Sequence, residues 1–416
     1  MLTAGLLLLF MFTLAYTMVA RRLSSTVVTA PMLFIGFGFL LSRTGWMPQG
    51  EAEDILHLTA EVALILLLFF DAAQTDLGAL RRRHVWPVRM LLIGLPLAII
   101  LGALSAWLLF PGWPVVALAL IASILAPTDA ALGQAVVTNA IVPMRARRAL
   151  TVESGLNDGI ALLAVLFFAS LTAEEMGQNG VDWFLFGLKQ LTLGPLVGMA
   201  TGLIGGAILL QAKKYNLTSD IYEGVGALAL AGTAYAGAEL MGGNGFIAAF
   251  IAGLCFGGAV KSACKFVFEF TESEGQLLTL GAFFLLGLTL VPEAIDALTI
   301  EIVTLILVSL FVVRPLAIWI SLLGTDASGT TRAFFGWFGP RGLATALFAL
   351  LVVGQSEHQY SEAILVVAIN AVWISAVLHG LSAAPGARWY AAQIAAKGAC
   401  AEMKPVEVSA KPIVTR

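Results

Sequence analysis

The sequence is poor in charged residues and in cysteine. Only 12% of its 416 residues are charged, against roughly 25% in an ordinary soluble domain. Its three cysteines, Cys255, Cys264 and Cys400, imply no disulfide framework. Because 59% of the residues are hydrophobic, the chain has more apolar surface than a water-soluble fold can hide. These shortages exclude a soluble domain of useful size and a disulfide-stabilised secreted protein.

Common signatures of nucleotide and metal binding are also missing. No glycine-rich loop followed by lysine is present to hold phosphates, and no Cys/His cluster has zinc spacing. We interpret the four scattered histidines as loop or helix-end residues: His57, His84, His358 and His379. We therefore expect a protein that is not an enzyme, with no cofactor, no direct use of ATP and no nucleic-acid partner.

Long apolar runs follow one another from the first residues to about Leu381. A membrane-spanning helix needs about 20 apolar residues, and the runs predict thirteen such helices. The predicted spans are 2–20, 26–42, 55–72, 87–109, 113–138, 147–171, 190–210, 219–238, 244–258, 277–291, 297–323, 332–353 and 361–383. We therefore expect an all-α multi-pass membrane domain over residues 1–383. A short cytoplasmic tail over 384–416 would leave no room for regulation by a large cytosolic domain.

The charges between these spans predict an orientation. Lys and Arg gather in the loops after odd-numbered spans, whereas Asp and Glu gather after even-numbered spans. Since cytoplasmic loops are rich in basic residues, we expect the N-terminus outside and the C-terminus inside the cell's inner membrane. The main basic groups are Arg21-Arg22, Arg81-Arg82-Arg83, Arg145-Ala146-Arg147-Arg148 and Lys213-Lys214.

The fifth span is interrupted by a proline. Pro127 supplies no backbone donor and clashes with the preceding turn, so the helix should open there. Thr128 and Asp129 then lie near the bilayer centre, where free carbonyls and a carboxylate are acceptable if they coordinate a cation. The alternative is a simple proline kink in which Asp129 pairs with a neighbour. Because a carboxylate follows the proline, the sequence favours an ion site.

The twelfth span contains a second interruption, Gly339-Pro340-Arg341-Gly342. Pro340 follows Pro127 by 213 positions, and Asn370 follows Asn157 by the same distance. An offset of seven spans inverts the second copy. The sequence therefore predicts two six-helix units that face opposite ways, each with one unwound helix.

The sharpest signal is a polar run in the sixth span, Glu153-Ser154-Gly155-Leu156-Asn157-Asp158-Gly159. Ser154 and Asp158 are four residues apart and share one helix face, while Glu153 and Asn157 share an adjacent strip. A carboxylate at the bilayer centre costs roughly 2.5–3.5 kcal/mol, so two carboxylates indicate a binding function. The alternative is a polar cluster that only ties helices together.

Two arginines, Arg314 and Arg341, fall within apolar spans. A buried guanidinium needs a carboxylate or a set of carbonyls. We expect Glu153 and Arg314 to form a structural ion pair, which leaves Asp158 to titrate. We expect Arg341 to balance the half-helix ends where the fifth and twelfth spans cross, with Asp129 hydrogen-bonded nearby.

These residues together resemble the monovalent cation/proton antiporters, specifically the sodium/proton exchangers of the NhaP and NHE type. The resemblance implies the NhaA-like fold with two crossed, unwound helices and a homodimeric assembly. It spans the whole membrane region and is carried, in chain order, by Phe69-Phe70-Asp71-Ala72, Ala126-Pro127-Thr128-Asp129, Val152-Glu153-Ser154-Gly155-Leu156-Asn157-Asp158-Gly159, Arg314-Pro315 and Gly339-Pro340-Arg341-Gly342.

The resemblance implies a role for each polar residue. Asp158 looks like the carboxylate that alternately binds cation and proton, and Asn157 like the residue that holds the geometry of the site. Further ligands implied are Ser154, Asp129 and the Thr128 backbone, with Glu153 paired to Arg314. An Asn before the functional Asp is similar to the electroneutral branch, which implies one cation per proton.

The function that we expect is antiport of Na+ or Li+ against H+. Hard oxygen ligands suit these ions better than soft metals. Only a carboxylate occupied by H+ or a cation is neutral enough to cross the low-dielectric barrier, so exchange is obligatory. The ion-binding core would include residues 113–171 and 297–383. Three alternatives remain open, namely K+/H+ antiport, a cation channel, and a scaffold or receptor with a vestigial site.

Overall fold

The computed structural model describes residues 2–23, 26–45, 49–75, 85–129, 132–175, 180–260, 265–355, 360–398 and 400–403, and these contain helices but no strand. The helices are α1 (Leu2–Leu23), α2 (Ala30–Ser42), α3 (Gln49–Gln74), α4 (Val85–Leu109), α5 (Val115–Leu125), α6 (Gln134–Val137), α7 (Met144–Glu175), α8 (Gly180–Lys214), α9 (Asp220–Leu240), α10 (Gly245–Val260), α11 (Lys265–Asp296), α12 (Ile300–Ser321), α13 (Gly329–Trp337), α14 (Leu343–Gln355) and α15 (Ser361–Ala396). A 3₁₀ turn follows at Ala401–Met403.

Each predicted span coincides with one helix or with one interrupted helix. The fifth span is divided into α5 and α6, and the twelfth into α13 and α14. Six helices of the described chain are long and apolar enough to cross a membrane by length and composition, and four shorter helices are also apolar. The chain is therefore an all-α, multi-pass membrane protein, while the number of crossings and the orientation stay predictions.

Several residues used in the sequence analysis lie outside the described part of the chain. They are Arg81, Arg82, Arg83, His84, Cys264 and His358, together with residues 404–416 of the predicted tail. The other two cysteines, Cys255 and Cys400, are free thiols.

The last helix is longer than the sequence predicts. Instead of ending near residue 383, α15 continues through Pro385 to Ala396. The chain then turns back, and Arg145 at the start of α7 donates from Nη1 to the carbonyl of Ala401 at 2.8 Å. The first part of the predicted tail is therefore a helical extension that is fastened to the helix bundle.

Close packing of small residues holds together α2, α3, α8, α10 and α11, which we call the scaffold. Gly253 and Gly257 of α10 face the backbone of Phe69 and Ala73 in α3, and a Cβ on either glycine would overlap that backbone. Glycines of α8 pack against the backbone of α10 in the same way, and glycines of α2 and α11 pack against each other's backbone. Such contacts are typical of membrane helices, which associate through van der Waals packing rather than the hydrophobic effect.

Two helices contain a π-turn at corresponding places in the two halves of the chain. In α4 the π-turn covers Met90–Gly94 and in α12 it covers Ser309–Val313, and each lies just before a proline, Pro96 or Pro315. These helices are the fourth and eleventh spans, again seven apart, as an inverted repeat requires. The π-turns therefore add a further pair of features at the offset of the predicted repeat.

The proposed correspondence between Asn157 and Asn370 is not one of environment. Asn370 donates to the carbonyls of Ala294 at 2.7 Å and Val366 at 2.9 Å, which ties α15 to α11. Asn157 instead contacts the break after α5. The helix breaks and the π-turns lie at the predicted offset of seven spans, whereas the two asparagines bond to different groups because different helices pack against them.

Candidate ion-binding site

The two interrupted spans meet where their backbones are unwound. The amide of Asp129, beyond the end of α5, donates to the carbonyl of Pro340 at 2.9 Å. In return, the Asp129 carboxylate accepts from the amide of Leu343, the first residue of α14, at 2.9 Å. A carboxylate is favourable at a helix N-terminus because of the helix dipole. Asp129 thus fastens the first break to the second, and we call this region the crossing.

Arg341 satisfies the opposite helix end at the crossing. Its guanidinium is buried and donates from Nη1 to the carbonyls of Ala126 at 3.1 Å and Pro127 at 3.2 Å. Nη2 lies 3.3 Å from the hydroxyl of Ser309. These carbonyls follow the C-terminus of α5, where a cation is favourable. The structure therefore puts Arg341 on the half-helix end that the sequence predicts.

The predicted pair of Glu153 and Arg314 is brought together by the fold. Arg314 donates from Nη1 and Nη2 to the two carboxylate oxygens of Glu153 at 3.1 and 3.0 Å, and both side chains are buried. Two parallel bonds of this kind combine charge with fixed geometry. Gly339 makes room for the pair, because a Cβ there would overlap the Arg314 guanidinium.

The π-turn of α12 explains how both Ser309 and Arg314 reach the crossing. Residues five apart in an α-helix point in clearly different directions, since one turn takes 3.6 residues. In the π-turn the amide of Arg314 donates to the carbonyl of Ser309, five residues earlier. This wider turn brings residues five apart closer to one face of the helix than a regular α-helix does. One helix thereby supplies partners to both Arg341 and Glu153.

Hydroxyl and amide groups connect α7 to the first break. Asn157 donates from Nδ2 to the Thr128 hydroxyl at 2.5 Å, and that hydroxyl lies 3.4 Å from the Ser154 hydroxyl. All three side chains are buried. The predicted ligands Thr128 and Ser154 are therefore neighbours, and Asn157 holds Thr128 from the α7 side.

Asp158 keeps one carboxylate oxygen without a hydrogen bond in the described part of the chain. This oxygen, Oδ1, is buried. The carboxylate lies within electrostatic reach of Asp71, Asp129 and Glu153. Of these carboxylates, Glu153 is neutralised by Arg314. An under-bonded carboxylate with further negative charge around it is an arrangement that attracts a cation or a proton.

Asp71 is a residue of the site that the sequence analysis did not single out. There it appears only as part of a motif that carries the resemblance, although a carboxylate inside the apolar third span was a signal in itself. In the structure it lies in α3 and interacts electrostatically with Asp129 and Asp158. Its main chain packs against Gly155, where a Cβ would lie 3.1 Å from the Asp71 carbonyl oxygen. Asp71 brings a charge from the scaffold to the crossing.

Carboxylates alone do not form a cation cage here. Within the described part of the chain, no group of three His, Cys, Asp or Glu side chains is arranged to hold a metal ion. A cation beside Asp158 would therefore take further oxygens from uncharged groups, and the neighbouring hydroxyls of Ser154 and Thr128 are candidates.

Two histidines contradict their interpretation as loop or helix-end residues. His57 lies within α3. His379 lies well inside α15, is only 2% exposed, and is hydrogen-bonded through both ring nitrogens. The interpretation was wrong because α3 begins at Gln49 and α15 continues to Ala396, so both helices extend beyond the predicted spans and neither histidine is at a helix end.

Comparison with known proteins gives relatives named as antiporters. The chain is 25% identical over 390 residues to the K+/H+ antiporter NhaP of Alkalimonas amylolytica, covering 92% of this chain and 65% of that protein. It is 27% identical over 329 residues to the K+/H+ antiporter NhaP2 of Shewanella sp. (strain ANA-3), covering 77% and 55%. With the Na+/H+ antiporter 1 of Methanocaldococcus jannaschii it shares 32% identity over 187 residues, covering 40% and 43%. The chain spans less than two thirds of the length of these relatives.

A solved structure shares the fold. The sodium proton antiporter MjNhaP1 from Methanocaldococcus jannaschii superposes with a TM-score of 0.77 at 20% sequence identity, covering 92% of this chain and 97% of that one. The sequence profile of the family described as sodium/hydrogen exchanger, transmembrane, matches residues 7–389. Since the match takes in both broken helices and every residue of the crossing, the chain belongs to the sodium/hydrogen exchanger family.

Proposed function

We propose that this chain is a secondary antiporter that exchanges Na+ or Li+ for H+ across the cell's inner membrane. The observation that carries the proposal is the setting of the Asp158 carboxylate, whose Oδ1 is buried. One of its oxygens has no hydrogen-bond partner among the described residues, and Asp71, Asp129 and Glu153 surround it electrostatically. A carboxylate in this setting is stabilised by a cation or by a proton, and the two compete for it.

Each predicted ligand has a place in this mechanism. Asp158 holds either H+ or the cation, and Ser154, Asp129 and the Thr128 main chain supply further oxygens. Asn157 keeps Thr128 in position through its hydrogen bond to the hydroxyl. Glu153 and Arg314 neutralise each other, while Arg341 balances the carbonyl end of α5. One exchangeable carboxylate then gives electroneutral exchange of one cation for one proton.

Alternating access follows from the penalty for moving charge. An empty, ionised Asp158 would have to cross a low-dielectric barrier, whereas the protonated or cation-bound form is neutral. Only occupied forms therefore change the side on which they are open, and neither ion moves without the other. A channel lacks this coupling, since it lets ions pass without a counter-proton.

K+/H+ exchange is the second candidate. It is favoured by the names of the relatives from Alkalimonas amylolytica and Shewanella, which are both K+/H+ antiporters. The relative from Methanocaldococcus jannaschii is named a Na+/H+ antiporter. Both ions can bind oxygen ligands, and discrimination between them depends on the size of the site and on the number of ligands.

We further propose that the chain works as a homodimer. The support is the resemblance to NhaP and NHE exchangers. Chemical crosslinking in native membranes and native mass spectrometry of the purified protein should both give twice the chain mass, and a monomer under both conditions would contradict the proposal.

The deciding experiment is an imposed pH gradient in proteoliposomes, to which Na+, Li+ and K+ are added separately. We expect Na+ or Li+ to collapse the gradient with wild type and not with Asp158→Asn. Asp296→Asn is a matched control, because Asp296 is an exposed carboxylate whose ion pair in the described part of the chain is with the exposed Arg43, at 3.5 Å. Response to K+ alone would favour the second candidate. Cation flux without proton movement would favour a channel, and full activity of Asp158→Asn would rule out the proposed role of that residue.

A further inference from the structure

Two polar side chains of α15 form a short series of hydrogen bonds next to the break between α13 and α14. They are His379 and Ser375, one turn apart on α15, with exposures of 2% and 0%. Neither residue belongs to the motifs that the sequence singles out as a site. Burying a histidine and a serine side chain costs free energy unless their polar atoms form hydrogen bonds with other buried groups.

The two residues touch both edges of the break. His379 Nε2 lies 2.9 Å from the carbonyl of Trp337, the last residue of α13. His379 Nδ1 lies 3.0 Å from the Ser375 hydroxyl. That hydroxyl in turn accepts from the amide of Arg341 at 2.7 Å. These hydrogen bonds therefore connect the end of α13 to Arg341, two residues before α14.

His379 Nδ1 also lies 3.0 Å from the carbonyl of Ser375, which accepts from the His379 amide within α15 and needs no proton from the ring. With a neutral ring, one assignment of protons satisfies the contacts to Trp337, to the Ser375 hydroxyl and to the Arg341 amide. The Trp337 carbonyl can only accept, so Nε2 carries the proton and donates. Nδ1 then accepts from the Ser375 hydroxyl, which leaves the serine oxygen to accept from the Arg341 amide. A positively charged ring would add a third cation near Arg341 and Arg314, and buried unpaired cations are costly.

Of the two backbone groups that these residues bind, the Arg341 amide depends on them more than the Trp337 carbonyl does. The carbonyl of Trp337 also accepts from the amide of Gly339 at 2.9 Å, so it stays bonded if the histidine is lost. Without Ser375, in contrast, the buried amide of Arg341 loses the acceptor that the structure gives it. An unsatisfied buried donor pulls the backbone towards another acceptor or water.

The same short segment positions the ion site. Pro340 accepts from the Asp129 amide, Arg341 holds the carbonyls of Ala126 and Pro127, and Leu343 donates to the Asp129 carboxylate. A backbone shift at Arg341 is thus passed directly to Asp129. It also reaches the neighbouring main chain of Thr128.

We propose that His379 and Ser375 are positioning residues for the ion site, holding the break of the twelfth span so that the crossing keeps its cation ligands in place. The inference rests on the proposed antiport function. Neither residue is expected to touch the cation, and both act through Arg341. The expected consequence of losing either one is weaker cation binding in a protein that still folds.

The test is cation-driven proton movement in proteoliposomes with Ser375→Ala, His379→Ala and the double variant. We expect each single variant to raise the apparent KM for the transported cation about tenfold, equivalent to about 1.4 kcal/mol, with a smaller change in maximal rate. Because the two residues act in series, the double variant should be no worse than the more impaired single variant. Ser382→Ala is the matched control. Ser382 lies on the same helix and accepts from the Trp337 indole at 2.9 Å. Its other described hydrogen bonds go to carbonyls of α15 itself and none goes to the backbone of the break.

Two conservative variants separate positioning from simple structural damage. An Asn at position 379 puts its acceptor near Nδ1 and can keep the Ser375 hydroxyl in place, whereas a Gln reaches the position of Nε2 and serves only Trp337. His379→Asn should therefore recover most of the cation affinity, and His379→Gln should not. Equal impairment by both would point to general destabilisation and would overturn the proposal.

The outcomes separate this inference from the function on which it rests. If wild type exchanges ions and both alanine variants have the wild-type KM, the inference is wrong and the function stands. If wild type does not exchange ions, cation-induced stabilisation in detergent gives Kd directly, because ligand binding raises the melting temperature. An unchanged Kd in Ser375→Ala would again contradict the inference. No stabilisation of wild type by Na+, Li+ or K+ would overturn both proposals.

Discussion

The scaffold and the crossing are held together by opposite means. In the scaffold, helices touch through glycine, as where Gly253 and Gly257 of α10 lie on the backbone of α3. At the crossing, unwound backbone is held by charged side chains, as where Arg341 binds two carbonyls of the other broken span. Apolar helices in a membrane associate by close shape complementarity, because they have no exposed polar groups that need hydrogen-bond partners. Broken helices need exact partners, since every unpaired backbone group in the membrane is costly.

Glycine occurs in both regions for different reasons. In the scaffold it lets two backbones approach, so what would be displaced by a side chain is another helix. At the crossing, Gly342 lies against the Asp129 carboxylate and Gly339 against the Arg314 guanidinium. There a side chain would displace a charged group and leave the helices where they are. The same small change should therefore lower stability in one region and ion affinity in the other.

The largest effect should come from breaking the buried ion pair. Glu153→Gln leaves the Arg314 guanidinium buried without a counter-charge, and we expect a loss of about 3–5 kcal/mol of stability. Thermal unfolding in detergent measures it. The double variant Glu153→Gln with Arg314→Gln should recover part of the loss, since no uncompensated charge remains. A single variant as stable as wild type would mean that the crossing is not held by this pair.

A scaffold glycine should have the next largest effect. Gly257→Ala places a Cβ on the backbone of Ala73, and overpacking of this kind costs about 1–3 kcal/mol. The adjacent Gly258 is the matched control, because a Cβ there meets no heavy atom within 4 Å. Melting temperatures of Gly257→Ala and Gly258→Ala in the same detergent make the comparison. Equal values would show that close backbone packing is not what stabilises the scaffold.

The equivalent change at the crossing sharpens the contrast. In Gly342→Ala the new Cβ overlaps the Asp129 carboxylate, which must move away from its bond to Leu343. We expect about a tenfold rise in the KM for the transported cation, or about 1.4 kcal/mol, with a smaller loss of melting temperature than Gly257→Ala causes. A large loss of stability with unchanged KM would remove the distinction between the two regions.

The smallest effect should come from the end of the described chain, where polar contacts lie beyond the last helix. Glu402 accepts from the Thr331 hydroxyl at 2.6 Å and the Ser328 amide at 3.1 Å. Burial raises the pKa of Glu402, but these hydrogen bonds outweigh burial and lower the pKa from 4.5 to about 2.

Since the folded pKa is the lower one, the stabilisation by Glu402 is complete above about pH 4.5 and is lost as the pH falls towards 2. We expect Glu402→Gln to cost about 1 kcal/mol at neutral pH. The difference in melting temperature from wild type should shrink below pH 4.5. A difference that is constant from pH 7 to pH 3 would mean that the charge of Glu402 is not involved.

Much of the fold could be predicted because its signals are local. Each apolar run gives its own helix, and Pro127 and Pro340 each open the span in which they lie. The ion pair of Glu153 and Arg314 could be anticipated because a buried guanidinium has few acceptable partners. Asp71 and His379 could not be assigned in this way, because their partners belong to helices far away in the sequence.

The sequence by itself determined that the chain is a membrane protein. It also determined the positions at which two helices are interrupted and the buried polar residues that need hydrogen-bond or ion-pair partners. These follow from the cost of exposing apolar groups to water and polar groups to lipid. Only the tertiary structure decided which groups meet. The π-turn of α12 brings Ser309 and Arg314 closer to one face of that helix. Helix α3 brings Asp71 near Asp158, and α15 places His379 beside the break between α13 and α14. Those contacts depend on how each helix is rotated and shifted along its axis against its neighbours. The pattern of apolar and polar residues within one helix does not determine that rotation or shift.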